Sequence, residues 1–301
     1  MNRREWIQIA AGALAAAAAD AAGTLFDPSQ LDFHFHSGME REAPIEEWLD
    51  LAVAGGRRCF LMVDHLELYR PGEHKPGRYP VSPAGRRDFL SDVERMKQRR
   101  DVLIFAGWEV YEGELDTGIE WEAMRAVEAI GWHISHLRGK RPPDGQLLIR
   151  RARQILDLQK QLPRPMILLH PFTPRIQGLR QNRDPQTLSP ADYQYFHGDE
   201  QKRLIDLLGD SSLYLEINHA SMSGPWTDPV LRDALVAAIR PLAEAGLQFT
   251  VGSDNHGLDS VRREYRPEVF CQACGIRPRQ VNGIARELLA QRAIGGLGRA
   301  G

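Results

Sequence analysis

The sequence has little cysteine, almost no net charge and no long, strongly apolar run. Three cysteines in 301 residues exclude a scaffold built on disulfides. Thirty-eight Lys and Arg against 40 Asp and Glu leave a formal net charge of −2, so bulk charge gives no sign of a nucleic-acid partner. No Walker, Rossmann or G-x-S-x-G pattern carries weight. With 43% hydrophobic and 26% charged residues, the chain can bury a sizeable core; disordered, collagen-like and multi-span membrane classes are excluded. Histidine stands out, with ten residues whose positions matter more than their number.

The N-terminus reads as an address. Arg3 and Arg4 precede an uncharged, alanine-rich run from Trp6 to Ala19, and small residues follow to Ala22. That is the order of an export signal, and the paired arginines resemble a twin-arginine leader. The run is too short and too weakly apolar to span a bilayer. Residues 1–22 are therefore expected to direct export to the periplasm, leaving 23–301 as a single domain with no transmembrane span.

Seven short runs read as strands: 31–36, 59–64, 102–109, 129–135, 165–170, 213–218 and 247–254. Most are near-continuously apolar, as parallel strands buried on both faces should be. Amphipathic stretches separate several of them, such as GQLLIRRARQILDLQKQL and DPVLRDALVAAIRPLAEAG, with apolar residues three and four apart. Gly55–Gly56 and Gly246 are natural helix stops. The alternation implies a parallel α/β fold, either an open sheet or a closed barrel. The runs end in polar groups: His34 and His36, Asp64 and His65, Glu109, His133, His170, Glu216 and Asn218, Asp254 and His256. In a barrel all these ends converge on one mouth, whereas distant strands of an open sheet could not meet. The polar ends favour a barrel.

His34 and His36 lie two apart on a strand and share a face. Such a pair suits a borderline divalent metal. Its repetition by further histidines and carboxylates at strand ends strengthens the case, because buried charges need partners or metals.

In order, DFHFH, MVDH, GWE, GWH, LLHP, LEIN and GSDNH resemble the PHP (polymerase and histidinol phosphatase) family of metal-dependent phosphoesterases. The resemblance covers almost everything after Gly23. It implies a distorted seven-stranded (β/α)7 barrel and two or three divalent ions of zinc, manganese or iron. It places His34, His36 and Asp254 on a first ion and makes Glu109 a bridge to a second, completed by His133 and His170. His65 and His256 go to a third. Glu109 and Asp254 are the implied catalytic groups. Where many members carry another histidine, this chain has Glu42, which can still ligate a hard or borderline cation. His136 competes with His133, but GWH fits the pattern better.

Asp64 is expected to orient a ligating imidazole, and Glu216 and Asn218 to support ligands or touch substrate. Arg175, Arg180 and Arg183 could bind an anionic substrate or simply be a solvated basic loop. His219 reads as a neighbour of the site, and His74 and His197 as loop residues. Cys271 and Cys274 could be a local disulfide or helical core residues; Cys59 reads as core.

The resemblance implies hydrolysis of a small, anionic phosphate ester by metal-activated water. Two alternatives keep the metals: an exported hydrolase of an amide, ester or carbamate, and a non-catalytic metal-binding domain. Oligomeric state is not legible.

Overall fold

The computed structural model describes residues 26–36, 43–70, 79–134, 145–173, 188–194, 196, 199–209 and 211–299. Seven strands, β1 (Leu31–His36), β2 (Cys59–His65), β3 (Leu103–Tyr111), β4 (Ala129–His133), β5 (Met166–Leu169), β6 (Leu213–Asn218) and β7 (Phe249–Gly252), pair in sequence order. Every pairing is parallel. The first and last strands meet at a seam, so the sheet is a nearly closed (β/α)7 barrel.

Helices occupy the connections: α1 (Ile45–Ala54), α2 (Pro83–Met96), α3 (Gly145–Gln159), α4 (Glu200–Leu208), α5 (His219–Trp226), α6 (Pro229–Glu244), α7 (Leu258–Arg262), α8 (Pro267–Cys274) and α9 (Gly283–Arg299). The glycine stops act as expected: α1 is capped by Gly55, and Gly56 and Gly246 take φ of 96° and 86°. The expected amphipathic helices bury one stripe each, Leu148, Ile149, Ala152, Ile155 and Leu158 on α3. No helix among the described residues is long and apolar enough to cross a membrane.

β1 is buried along its whole length, with the aromatic rings of Phe35 and Phe60 packed edge to face. Between Asp32 and Phe35 its register against β2 shifts. The seam depends on that end of β1. Ser253 N donates to Asp32 Oδ1 at 2.9 Å, Asp254 N to His34 O at 2.9 Å, and Asn255 Nδ2 to His36 O at 2.8 Å. Asp32 also pairs with the buried Arg57 at 2.9 Å, which donates to Val261 O and lies over the Tyr265 ring. One buried ion pair thus ties α7 to β1.

Several strand limits differ from the sequence reading. β7 stops at Gly252, because Ser253 turns its N–H to a side chain and Asp254 adopts φ 52°. β3 runs on to Tyr111, paired with His133 of β4. Cys59, Cys271 and Cys274 are buried free thiols, so 271 and 274 are helical core residues of α8 and not a disulfide.

Candidate metal centre

The carboxyl ends of the strands bring the polar groups together. Register sets His65 of β2 beside Glu109 of β3, and alternation along β1 sends His34 and His36 to one place. Their Nε2 atoms are 3.0 Å apart. Glu109 Oε2 lies 3.1 Å from His34 Nε2 and 3.0 Å from His36 Nε2. Asp254 Oδ1 completes the group at 3.6 and 3.7 Å from the same nitrogens. A tetrahedral shell with bonds of about 2.1 Å has ligands about 3.4 Å apart, so these four atoms surround a space of metal size.

Glu109 faces two ways. Its Oε2 also lies 3.2 Å from His65 Nε2. Its Oε1 lies 2.8 Å from His133 Nδ1 and 3.6 Å from His170 Nε2. His170 Nε2 is in turn 3.8 Å from Asp254 Oδ2. Among the described residues, four sets have ligand atoms close enough to hold an ion: His34, His36 and Asp254; His65, Glu109 and His133; His36, His65 and His256; and His34, His170 and Glu216. His36 thus joins His65 and His256. Glu42 and His136 lie outside the described residues, as do Arg175, Arg180, Arg183, His74, His197 and residues 1–22, expected to be a leader.

The donor set fits a divalent ion. It is all imidazole and carboxylate, buried at its centre, where His34, His36 and Glu109 are at 0–1% exposure, and open to solvent at His256. Asp254 Oδ1 is buried with no hydrogen-bond partner among the described residues, an arrangement that costs stability unless a cation faces it.

Supporting groups turn the imidazoles inward. Glu216 Oε1 accepts from His34 Nδ1 at 2.7 Å, leaving Nε2 for the centre. Its Oε2 accepts from the backbone N–H of His170 at 2.7 Å. Asn218 Nδ2 donates to Glu216 and Asp254 at 3.1 and 3.3 Å, while its Oδ1 caps α5 through Ser221 N. His170 and Asp254 are the two non-glycine residues with positive φ among those described. A left-handed backbone at such residues costs on the order of 1 kcal/mol or more and persists only where contacts hold it. Glu216 holds the first, and the bond to His34 O holds the second.

Among the described residues, Asp64 makes no hydrogen bond to an imidazole. Its oxygens are taken by His65 N at 2.9 Å and Tyr69 Oη at 2.6 Å, so it fixes the strand end. The ring of His65 is held instead by Glu67, 3.1 Å from Nδ1. Sequence reasoning missed Glu67, because a 3-10 turn over Leu66–Tyr69 brings it back; its only signal was a carboxylate two residues after a ligand candidate.

Charge in the cluster follows from burial and proximity. Burial disfavours His34 protonation, yet Glu216, Glu109 and Asp254 raise its pKa well above 6.5. Burial likewise opposes charge on His65, but Glu109 and Glu67 lift it to about 9. Burial pushes His36 down to about 3. Against burial, His65 and His34 hold Glu109 well below the carboxylate range, and His34 and His170 do the same for Asp254. The carboxylates thus draw protons onto imidazoles facing the centre, and a cation entering it would displace them.

No family model matches the chain and no curated protein sequence is similar to it. Among solved structures, the histidinol phosphate phosphatase of Lactococcus lactis subsp. lactis Il1403, complexed with zinc, L-histidinol and phosphate, matches 83% of this chain and 95% of its own at TM-score 0.52 and 14% identity. An amidohydrolase II matches 88% of this chain and 99% of its own at TM-score 0.41 and 11% identity. The dihydroorotase of Campylobacter jejuni matches 91% and 86% at TM-score 0.36 and 14% identity. The first of these likenesses establishes a shared fold: the chain has the same kind of barrel as the Lactococcus phosphatase.

Proposed function

We propose that the chain is a metal-dependent hydrolase of a phosphate ester, with two or three divalent ions held at the strand ends. The observation that carries this reading is the two-sided Glu109, whose oxygens face separate imidazole sets. We assign His34, His36 and Asp254 to one ion, Glu109 as the bridge, and His133 and His170 to the second. His65 and His256 serve a third, with Glu42 its additional candidate. Bound ions would supply Lewis-acid charge that activates water and neutralises a phosphoryl group.

The chain's own groups do the positioning. Glu216 and Glu67 accept the Nδ1 protons of His34 and His65 and aim both Nε2 lone pairs inward. His256 donates Nδ1–H to its neighbour's carbonyl, Asp254 O, at 3.1 Å, which leaves its Nε2 free to ligate. Asn218 ties Glu216 to Asp254. The buried strand walls keep bulk water from the back of the site, where electrostatic interactions are strongest.

The choice of phosphate ester over carbonyl substrate is supported by the motif resemblance and by the Lactococcus phosphatase, whose complex contains zinc and phosphate. Arg175 and Arg180 are proposed substrate contacts. The paired-arginine leader supports export of the folded, metal-loaded domain.

The test is turnover of phenyl phosphate and phenyl acetate by the manganese-reconstituted mature chain, with Asp254→Ala as control. Metal-dependent release of phosphate, lost in the control and inhibited by orthophosphate, is expected. Turnover of the acetate alone would move the substrate class to carbonyl compounds. Silence on both would leave the metal centre without hydrolysis.

A further inference from the structure

A cavity of about 550 Å³ opens from Asp254 and His256 and runs between α5 and α7. Its walls include Arg57, His219, Ser223 and Arg263. None of these four belongs to the cluster of ligand candidates.

The inner wall offers a hydrogen-bond donor on His219. His219 Nε2 accepts the backbone N–H of Arg266 at 3.2 Å, which places the proton of the neutral ring on Nδ1. Nδ1 has only a long contact, 3.5 Å, to Ser223 Oγ, whose own proton goes to His219 O. The ring is fixed between Tyr265 and Phe270. Burial and the nearby Arg57 push its pKa down to about 4, so it remains a neutral donor at ordinary pH.

Charge on the rim is balanced. Asp259 is paired with Arg262 at 3.3 Å, and Glu264 lies 3.5 Å from Arg266, which Glu268 shares at 3.1 Å. Arg263 is exposed and has no ion pair among the described residues. Arg263 is thus the exposed lining cation without an ion pair of its own, on a cavity that opens from Asp254 and His256.

We propose that this cavity is the leaving-group subsite, and that His219 and Arg263 select a leaving group bearing an anionic oxygen group, such as a carboxylate or second phosphate. The proposal rests on the hydrolase reading for the word "leaving". The binding preference itself can be measured without turnover. A charge-assisted hydrogen bond from Arg263 should give about a tenfold preference.

Calorimetric titration of the manganese-loaded chain with phenyl phosphate and 4-carboxyphenyl phosphate, each as its non-hydrolysable methylene-phosphonate analogue, tests it. The carboxylated analogue is expected to bind about tenfold more tightly, and the ratio to fall to near unity in Arg263→Ala. Arg263→Glu should reverse the preference towards the 4-(aminomethyl)phenyl analogue, a gain that a misfolded variant would not show. A wild-type ratio near unity, a ratio unchanged in both variants, or binding of neither analogue overturns the subsite. If the preference stands but no ester is turned over, the hydrolytic reading fails and the anion-selecting cavity survives.

Discussion

Glu216 and His34, 182 positions apart in sequence, meet at 2.7 Å with both side chains fully buried. The same carboxylate reaches the N–H of His170, a residue at φ 56°. One acidic side chain on β6 therefore fixes a ring on β1 and a backbone at the end of β5. Replacing Glu216 by Gln keeps the shape but loses the charge and one acceptor oxygen. Manganese or zinc affinity should fall about 10- to 100-fold, measured by competition with a chelating dye. An unchanged affinity would remove Glu216 from the account.

Glu67 acts on one ring only. Glu67→Ala should weaken the ion held by His65 about tenfold or more and leave the His34, His36 and Asp254 group intact. Elemental analysis after dialysis should then find about one ion fewer per chain than in the wild type, as for His65→Ala. Equal metal content in all three proteins would contradict a separate site at His65.

Gly252 lies where the centre allows no side chain. A Cβ there would be 2.3 Å from His34 Cβ and 2.7 Å from Glu216 Oε1. Gly252→Ala must displace one of them, and overpacking of this kind costs about 1–3 kcal/mol. Urea unfolding of the metal-free protein should show that loss, and metal affinity should drop with it. Wild-type stability and affinity would contradict the packing described.

Far from the centre, Glu128 accepts from Arg292 at 2.6 Å and from the Ala106 N–H at 2.8 Å, and lies 2.7 Å from Lys97. Burial opposes its charge, but Arg292 and Lys97 lower its pKa below 4.5. A depressed carboxylate contributes stability above its unfolded pKa and loses it as pH falls through the folded one. Glu128→Gln should be about 1–3 kcal/mol less stable at pH 7, with the gap closing below pH 4.5. Comparing the two proteins cancels the titration of the histidine cluster. A gap independent of pH would contradict the charge-based account.

The barrel was legible because each strand is a short apolar run closed by a polar residue. The His34–His36 pair was legible because a strand alternates with period two. Residues joined through turns were not. Glu67 reaches His65 only after a 3-10 turn, and Asp64 faces Tyr69 and a backbone amide for the same reason. Helix α5 carries Ser, Gly and Pro and shows no apolar stripe. It forms where Asn218 caps it, and Asn218 was read as a ligand support or substrate contact. The end of β7 was overextended because neither the left-handed backbone at Asp254 nor the Ser253 contact to Asp32 leaves a mark on hydrophobic pattern.

The central claim is that the two oxygens of Glu109 bridge two ions. Anomalous diffraction from crystals of the manganese-loaded chain, collected on both sides of the metal edge, tests it most directly. The account predicts one peak among His34, His36 and Asp254 and another beside His133 and His170, about 3.5–4 Å apart, with Glu109 between them. A single peak, or peaks away from Glu109, would contradict it.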